Sequence, residues 1–321
     1  MTAVAARVLA AAVILGSCSS DTTRTAVTSS ATSSVTVESV PTPTETGTTF
    51  VVATATTSIA VTSRVTTSPT AAELASELTT VERAASAGDG SVGVRQQLLY
   101  RYLAAHADLD DAVLAGASDD VRPSIERIVA ARQLGQARQA ANPNPAPPST
   151  NLPAWSVVDP LPAAELIADY HDAETATGVA WYWLAAIHLQ ETRMGRIIGT
   201  SSAGAIGPMQ FLPATWERCC TGNPTIPRDA IIGAATYLTQ SGGPADMQAA
   251  LHAYNPNDSY VATVTAFAEN LRDTPQLYGA YREWQVFYAT SAGTVRLPVG
   301  YSASEPIDAA TYLAQHPDDA G

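Results

Sequence analysis

The sequence predicts a mainly α-helical protein with a small β-hairpin near its C-terminus. Three observations carry this. Apolar residues recur at three- and four-residue spacing through 71–141 and again through 162–194; Gly and Pro clusters interrupt that spacing where helices should end; and the period falls to two beyond Trp284. Hydrophobic residues make up 46% of the 321-residue chain and charged residues only 15%. Every basic residue is Arg, and 17 of them against 30 acids leave a net charge of -13. An acidic surface repels phosphate, so nucleic-acid binding and a polybasic lipid patch are poor readings. Three cysteines are too few for a disulfide scaffold, and the five histidines fall in no metal-ligand spacing, so neither a metal nor a cofactor is expected. Beyond the N-terminus no apolar stretch approaches a membrane span.

Taken in order, residues 1–17 read as a secretory signal peptide: Arg7 gives a charged start, Val8 to Leu15 is apolar, and Gly16-Ser17 are small. The cysteine that follows makes this end similar to a bacterial lipobox. That resemblance implies that Cys18 is acylated and anchors the protein to the outer face of the cell membrane, facing the cell wall. An ordinary signal peptide with an incidental cysteine is the alternative; both imply export. From Ser19 to Thr70, 28 of 52 residues are Ser or Thr, with no helical period. Such a run buries too little apolar surface to offset its ordering entropy, so 18–70 is expected to be a disordered tether spanning about 40 Å as a flexible coil.

Residues 71–141 read as three or four helices broken at Gly88-Asp89-Gly90 and Gly116-Ala117-Ser118. Asp108, Asp110 and Asp111 lack the Gly and Glu of a calcium loop and read as a solvated turn. Asn142-Pro143-Asn144-Pro145-Ala146-Pro147-Pro148 opens a stiff connector, 142–153, expected to be a domain boundary.

The residues of greatest chemical interest lie in 154–301. Pro162 opens a helix that Gly178 ends. A second, strongly apolar helix is expected over Trp181 to Met194, with Trp181, Leu184, Ile187, His188 and Glu191 on one face. A carboxylate on that face is paired, solvated at the helix end, or functional. Burial disfavours its charged form and raises its pKa, which suits a general acid at neutral pH. A Gly-rich turn then runs from Gly199 through Ser201, Ala203-Gly204-Ala205-Ile206-Gly207-Pro208-Met209-Gln210 and Phe211 to Trp216, and Ala253-Tyr254-Asn255 stands further on.

Glu191-Thr192-Arg193, the Ala203–Gln210 run and Ala253-Tyr254-Asn255, in that order, resemble the lytic transglycosylases of the lysozyme-like superfamily. Pro208 and Phe211-x-Pro213-x-x-Trp216 look most like the membrane-bound lytic transglycosylase B type of actinobacterial lipoproteins. The resemblance implies a lysozyme-like (goose-type) catalytic domain over 154–301 acting on peptidoglycan glycan strands. It implies that Glu191 is the single acid/base, that Ser201 holds a substrate N-acetyl group, that Met209 and Gln210 line the sugar cleft, that Tyr254 sits near the acid, and that Asn255 supports the adjacent loop and the substrate. Ser202 competes with Ser201, which is chosen on spacing alone. Most glycosidases use two carboxyls. A lone one suffices if the N-acetyl carbonyl of N-acetylmuramic acid attacks its own C1 and the C6 hydroxyl then closes a 1,6-anhydro ring.

Two rival readings remain: a muramidase with water as final nucleophile, and a non-catalytic glycan-binding lipoprotein whose 71–141 helices recruit division partners. Gly199-x-Ser201-x-Ala203 misses the serine-hydrolase elbow at its last position. His188 reads as a core residue more readily than a catalytic one. Cys219 and Cys220, alone once Cys18 is acylated, are expected to form a vicinal disulfide in an oxidising compartment. Gln285 to Val299 reads as the hairpin, with Pro298 on an edge strand, and 302–321 as a frayed acidic tail.

Overall fold

The computed structural model describes residues 69–321. The expected signal peptide, the expected acylation site Cys18 and all but the last two residues of the expected tether lie outside the described residues. Helix makes up 59% of what is described.

Helix α1 (Ala71–Ser86) starts on a reciprocal cap: the Thr70 hydroxyl accepts from the Glu73 amide at 3.3 Å, and the Glu73 carboxylate accepts from the Thr70 amide at 2.8 Å. Its buried face is Leu74, Ala75, Leu78, Val81 and Ala85. Helices α2 (Gly93–Ala105), α3 (Asp110–Gly116) and α4 (Arg122–Ala140) follow, so the 71–141 segment holds four helices with breaks near both glycine signals. Asp110 is not in a solvated turn. It is 3% exposed, paired with the buried guanidinium of Arg132, and accepts from Gln133 Nε2 at 2.9 Å. The sequence shows three acids together; only the fold brings a cation from another helix to one of them.

The Pro-rich run does not separate two domains. After it come α5 (Ala163–Thr177), α6 (Trp181–Thr192), α7 (Pro213–Cys219), α8 (Pro227–Gln240), α9 (Met247–Tyr254), α10 (Asp258–Asp273) and α11 (Leu277–Arg282). Apolar residues of α1–α4 belong to the same core cluster as those of α5–α11. Helix α4 lies along α10, with Arg127 paired to Asp273 at 2.5 Å and donating to Asn270 Oδ1 at 3.0 Å. At α2, Gly93 lets two backbones meet, because a Cβ there would stand 2.0 Å from the Ala280 carbonyl oxygen. Helix α6 is the centre of the core: every residue from Leu184 to Thr192 is buried. It ends two residues before Met194, where Arg193 (φ 56°) and Met194 (φ 60°) turn left-handed.

A second, smaller apolar cluster gathers short strands. Strand β1 (Asn151–Leu152) pairs with β6 (Ile307–Asp308), β2 (Ser156–Val157) with β3 (Ile197–Ile198), and β4 (Val286–Thr290) with β5 (Gly293–Leu297), all antiparallel. The last pair is the expected hairpin, with Pro298 just past the strand. The acidic tail is folded rather than frayed. After β6, Asp308 caps α12 (Ala309–Gln315) by accepting from the Thr311 amide at 2.8 Å, and Asp319 accepts from Tyr312 Oη at 2.9 Å and pairs with Arg296 at 2.8 Å. Asp308 is held within its own helix's first turn, while Asp319 also draws on Arg296, 23 positions earlier, a partner that composition alone does not reveal. Cys219 and Cys220 are joined in a disulfide. Among the described residues no helix is long and apolar enough to cross a membrane.

Candidate active site

Glu191 stands in the last turn of α6, 4% exposed, on a helix apolar enough to be buried on every side. Burial pushes its carboxyl pKa up to about 8, against the opposing pull of a hydrogen bond from Tyr260. Tyr260 Oη donates to Glu191 Oε1 at 2.8 Å, while the buried Oε2 has no hydrogen-bond partner. A proton held by this carboxyl therefore sits on Oε2, because Oε1 is the acceptor for the tyrosine. Tyr260 enters from α10, whose first turn is set by Asn257: its Oδ1 accepts from the Ser259 amide at 2.9 Å and the Tyr260 amide at 3.4 Å.

Two segments beyond Glu191 are tied together at their start. Thr192 Oγ1 donates to the Pro208 carbonyl at 2.6 Å and accepts from the Gly195 amide at 3.1 Å, so one side chain links the left-handed exit from α6 to the Gly-rich turn. Within that turn Ser201 and Ala205 close on each other: Ser201 N donates to Ala205 O, and Ala205 N to Ser201 Oγ, both at 3.0 Å. Ser201 is buried and Ser202 exposed, so the two serines are structurally distinct. Ile206 and Phe211 bridge antiparallel, leaving Gly207 (φ 75°) and Gln210 (φ 51°) to make the bend. Gln210 donates to the Gly207 carbonyl twice, from its backbone N at 3.0 Å and from Nε2 at 2.8 Å.

One expectation changes here. Met209 is wholly buried, so its side chain fills core instead of lining a cleft; its carbonyl accepts from Tyr254 Oη at 2.6 Å. Tyr254 thus holds the turn, and the tyrosine that touches the acid is Tyr260, whose ring stacks on that of Tyr254 with centroids 6.4 Å apart. No sequence signal marks Tyr260, because it lies beyond the Asn255-Pro256-Asn257 break on a new helix whose direction the sequence does not give. Asn255 is the buried C-cap of α9 and so stands at the start of that connection. His188 is buried against Tyr170, its Nδ1 2.7 Å from the hydroxyl, and burial depresses its pKa to about 3. It is a neutral core residue. Trp216 is buried with its Nε1 directed at the Gly222 carbonyl at 3.3 Å, and Trp181, Tyr182 and Trp183 are half-buried. Glu217, the acid nearest the turn in sequence, is exposed on α7.

The site therefore offers one buried, protonated carboxyl with a free oxygen, a fixed tyrosine behind it, and a rigid turn alongside. Such a group donates a proton at neutral pH and accepts it back once a substrate supplies a nucleophile.

The chain is similar to a lytic murein transglycosylase. It is 25% identical over 146 residues to the membrane-bound lytic murein transglycosylase F of Thiobacillus denitrificans, a stretch covering 43% of this chain and 31% of that protein. The chain thus spans about a third of its relative's length, and at this identity the likeness extends no further than a lytic transglycosylase. No protein-family model and no solved structure matches. The mainly helical architecture is compatible with a lysozyme-like fold.

Proposed function

We propose that this chain is an exported lytic transglycosylase that cleaves the β-1,4 bond between N-acetylmuramic acid and N-acetylglucosamine, with Glu191 as its single acid and base. One observation carries the reading: a buried carboxyl with pKa near 8, Oε1 taken by Tyr260 and Oε2 unpartnered, with no charged group among the causes of its shift. In the first step Oε2–H protonates the glycosidic oxygen as the bond to C1 breaks, and the substrate's own N-acetyl oxygen bonds to C1. In the second step Glu191, now a carboxylate, takes the proton of the C6 hydroxyl. The C6 oxygen displaces the N-acetyl oxygen from C1 and closes the 1,6-anhydro ring. Proton and charge return to their starting places, and no second carboxyl is required. Ser201, Gln210 and Asn255 are proposed to hold the sugar, with Tyr254 and the Met209 carbonyl supporting the turn.

Digestion of purified sacculi followed by mass analysis of the muropeptides tests the reading. Anhydro ends are expected. Hydrated reducing ends would replace it with a muramidase, and an unchanged profile with a glycan binder. The B-type assignment is supported by Pro208 and Phe211-x-Pro213-x-x-Trp216 alone, whereas the relative above is named F.

Tyr260→Phe removes the hydrogen bond that favours ionised Glu191. The acid should then hold its proton to higher pH, and the alkaline limb of the kcat/KM profile on glycan strands should move upward from about 8. A downward shift would mean that Glu191 is not the group titrating.

The anchor is part of the same proposal. Cys18→Ser should shift the protein from the membrane fraction to the soluble exported fraction with activity on isolated sacculi unchanged. Persistence in washed membranes would place the anchor elsewhere.

A further inference from the structure

The turn that carries Ser201 is rigid inside but needs to be placed relative to Glu191. Its inner end is tied by Thr192 to Pro208. Its outer end, Gly199-Thr200, is held by a side chain more than forty positions earlier in the sequence. Trp155, on the segment between β1 and β2, is 6% exposed, and its Nε1 donates to the Thr200 carbonyl at 3.1 Å. The indole fills the space that a side chain at 199 would need: a Cβ on Gly199 would stand 2.2 Å from Trp155 Cδ1.

Trp155 is in turn fixed on its other sides. The ring of Tyr288 on β4 meets it edge-on at 5.6 Å, the Ala303 amide donates to its carbonyl at 2.8 Å, and β2, directly after it, is paired with β3, directly before Gly199. A tryptophan that only filled the small apolar cluster would direct its N–H to a group of that cluster or to solvent. This one directs it to the backbone one residue before Ser201, across a contact that only glycine at 199 permits.

We propose that Trp155 is a positioning residue for the substrate-binding turn, setting where Ser201 stands relative to Glu191. The strands and the C-terminal tail that surround Trp155 then act as the brace of one wall of the site. This rests on the lytic transglycosylase reading above and deepens it, since it assigns substrate affinity to a residue outside the three motifs. The chemistry at Glu191 is untouched by it, so the effect belongs in substrate binding.

Trp155→Phe in the full-length chain keeps an aromatic ring in the cluster and removes the N–H donor. With soluble, uncrosslinked glycan strands as substrate, KM should rise about tenfold, the size of one lost hydrogen bond, with kcat within about threefold of wild type. The double variant Trp155→Phe/Ser201→Ala should have a KM no higher than Ser201→Ala alone, because both remove the same placement. An unchanged KM in Trp155→Phe, or effects that multiply in the double variant, would overturn the proposal. If Trp155→Phe does not fold, Gly199→Ala disturbs the same contact from the turn side and carries the same expectation. If the wild-type chain leaves the strands uncut, the lytic reading fails on its own. The calorimetric Kd for those strands then reads the contact directly, with about tenfold weakening expected in Trp155→Phe and an unaltered Kd counting against the proposal.

Discussion

Glu191→Gln should lower glycan cleavage at least about 100-fold, because the amide keeps the shape of the side chain but cannot donate a proton. The same change should stabilise the fold in a pH-dependent way. The carboxyl's ordinary value is 4.5 and its folded-state value about 8. Below 4.5 both the folded and the unfolded chain hold this proton, and the group imposes no penalty. Between 4.5 and 8 only the folded chain still holds it, so the folded state binds more protons and stability falls as pH rises. Above about 8 the loss is complete, on the order of 5 kcal/mol for this group. Glutamine has no such dependence. Urea unfolding at both ends of that window should therefore show the variant gaining on the wild type as pH increases. A gap that does not widen would mean that Glu191 is not buried as described, and wild-type cleavage in the variant would remove Glu191 from the mechanism.

Gly207→Ala should be the most damaging small substitution in the site. Gly207 has φ 75°, and a Cβ there would stand 1.8 Å from the Pro224 carbonyl oxygen, a backbone atom that no side-chain rotation can move aside. Left-handed backbone costs a non-glycine residue about 1–2 kcal/mol, and forced overpacking about 1–3 kcal/mol more. The melting temperature should fall by about 5–15 °C. Cleavage should fall as well, because the Gly207 carbonyl accepts both hydrogen bonds by which Gln210 is held. Gly204→Ala is the matched control. It shares the left-handed conformation (φ 84°) but has nothing within 4 Å of the added carbon, so it should show the conformational cost alone. Equal effects at the two positions would show that the contact with Pro224 is not what demands glycine at 207.

The sequence by itself determined the helices of 71–141 and the two that follow Pro162 and Trp181, because their apolar spacing, the Gly178 end and the glycine breaks are local properties of the chain, whereas α8–α12 were not read from it. It also placed Glu191 on the apolar face of its helix, but whether the carboxylate was paired, solvated or functional stayed open until packing buried that helix on every side. The β4–β5 hairpin and the pairing of Cys219 with Cys220 were legible for the same reason: each is closed by neighbours in sequence. What stayed hidden depends on contacts between residues far apart. Tyr260 meets Glu191 across 69 positions, Arg132 draws Asp110 into the core, Arg296 holds the acidic tail at Asp319, and Trp155 reaches Thr200. The apparent boundary at 142–153 fails on the same ground, because a Pro-rich run fixes only its own extended conformation while α4 and α10 share one buried face. A side chain's partner, and with it the pKa and the free oxygen of the acid, is set by which helix faces its own, and that is decided only when the whole core packs.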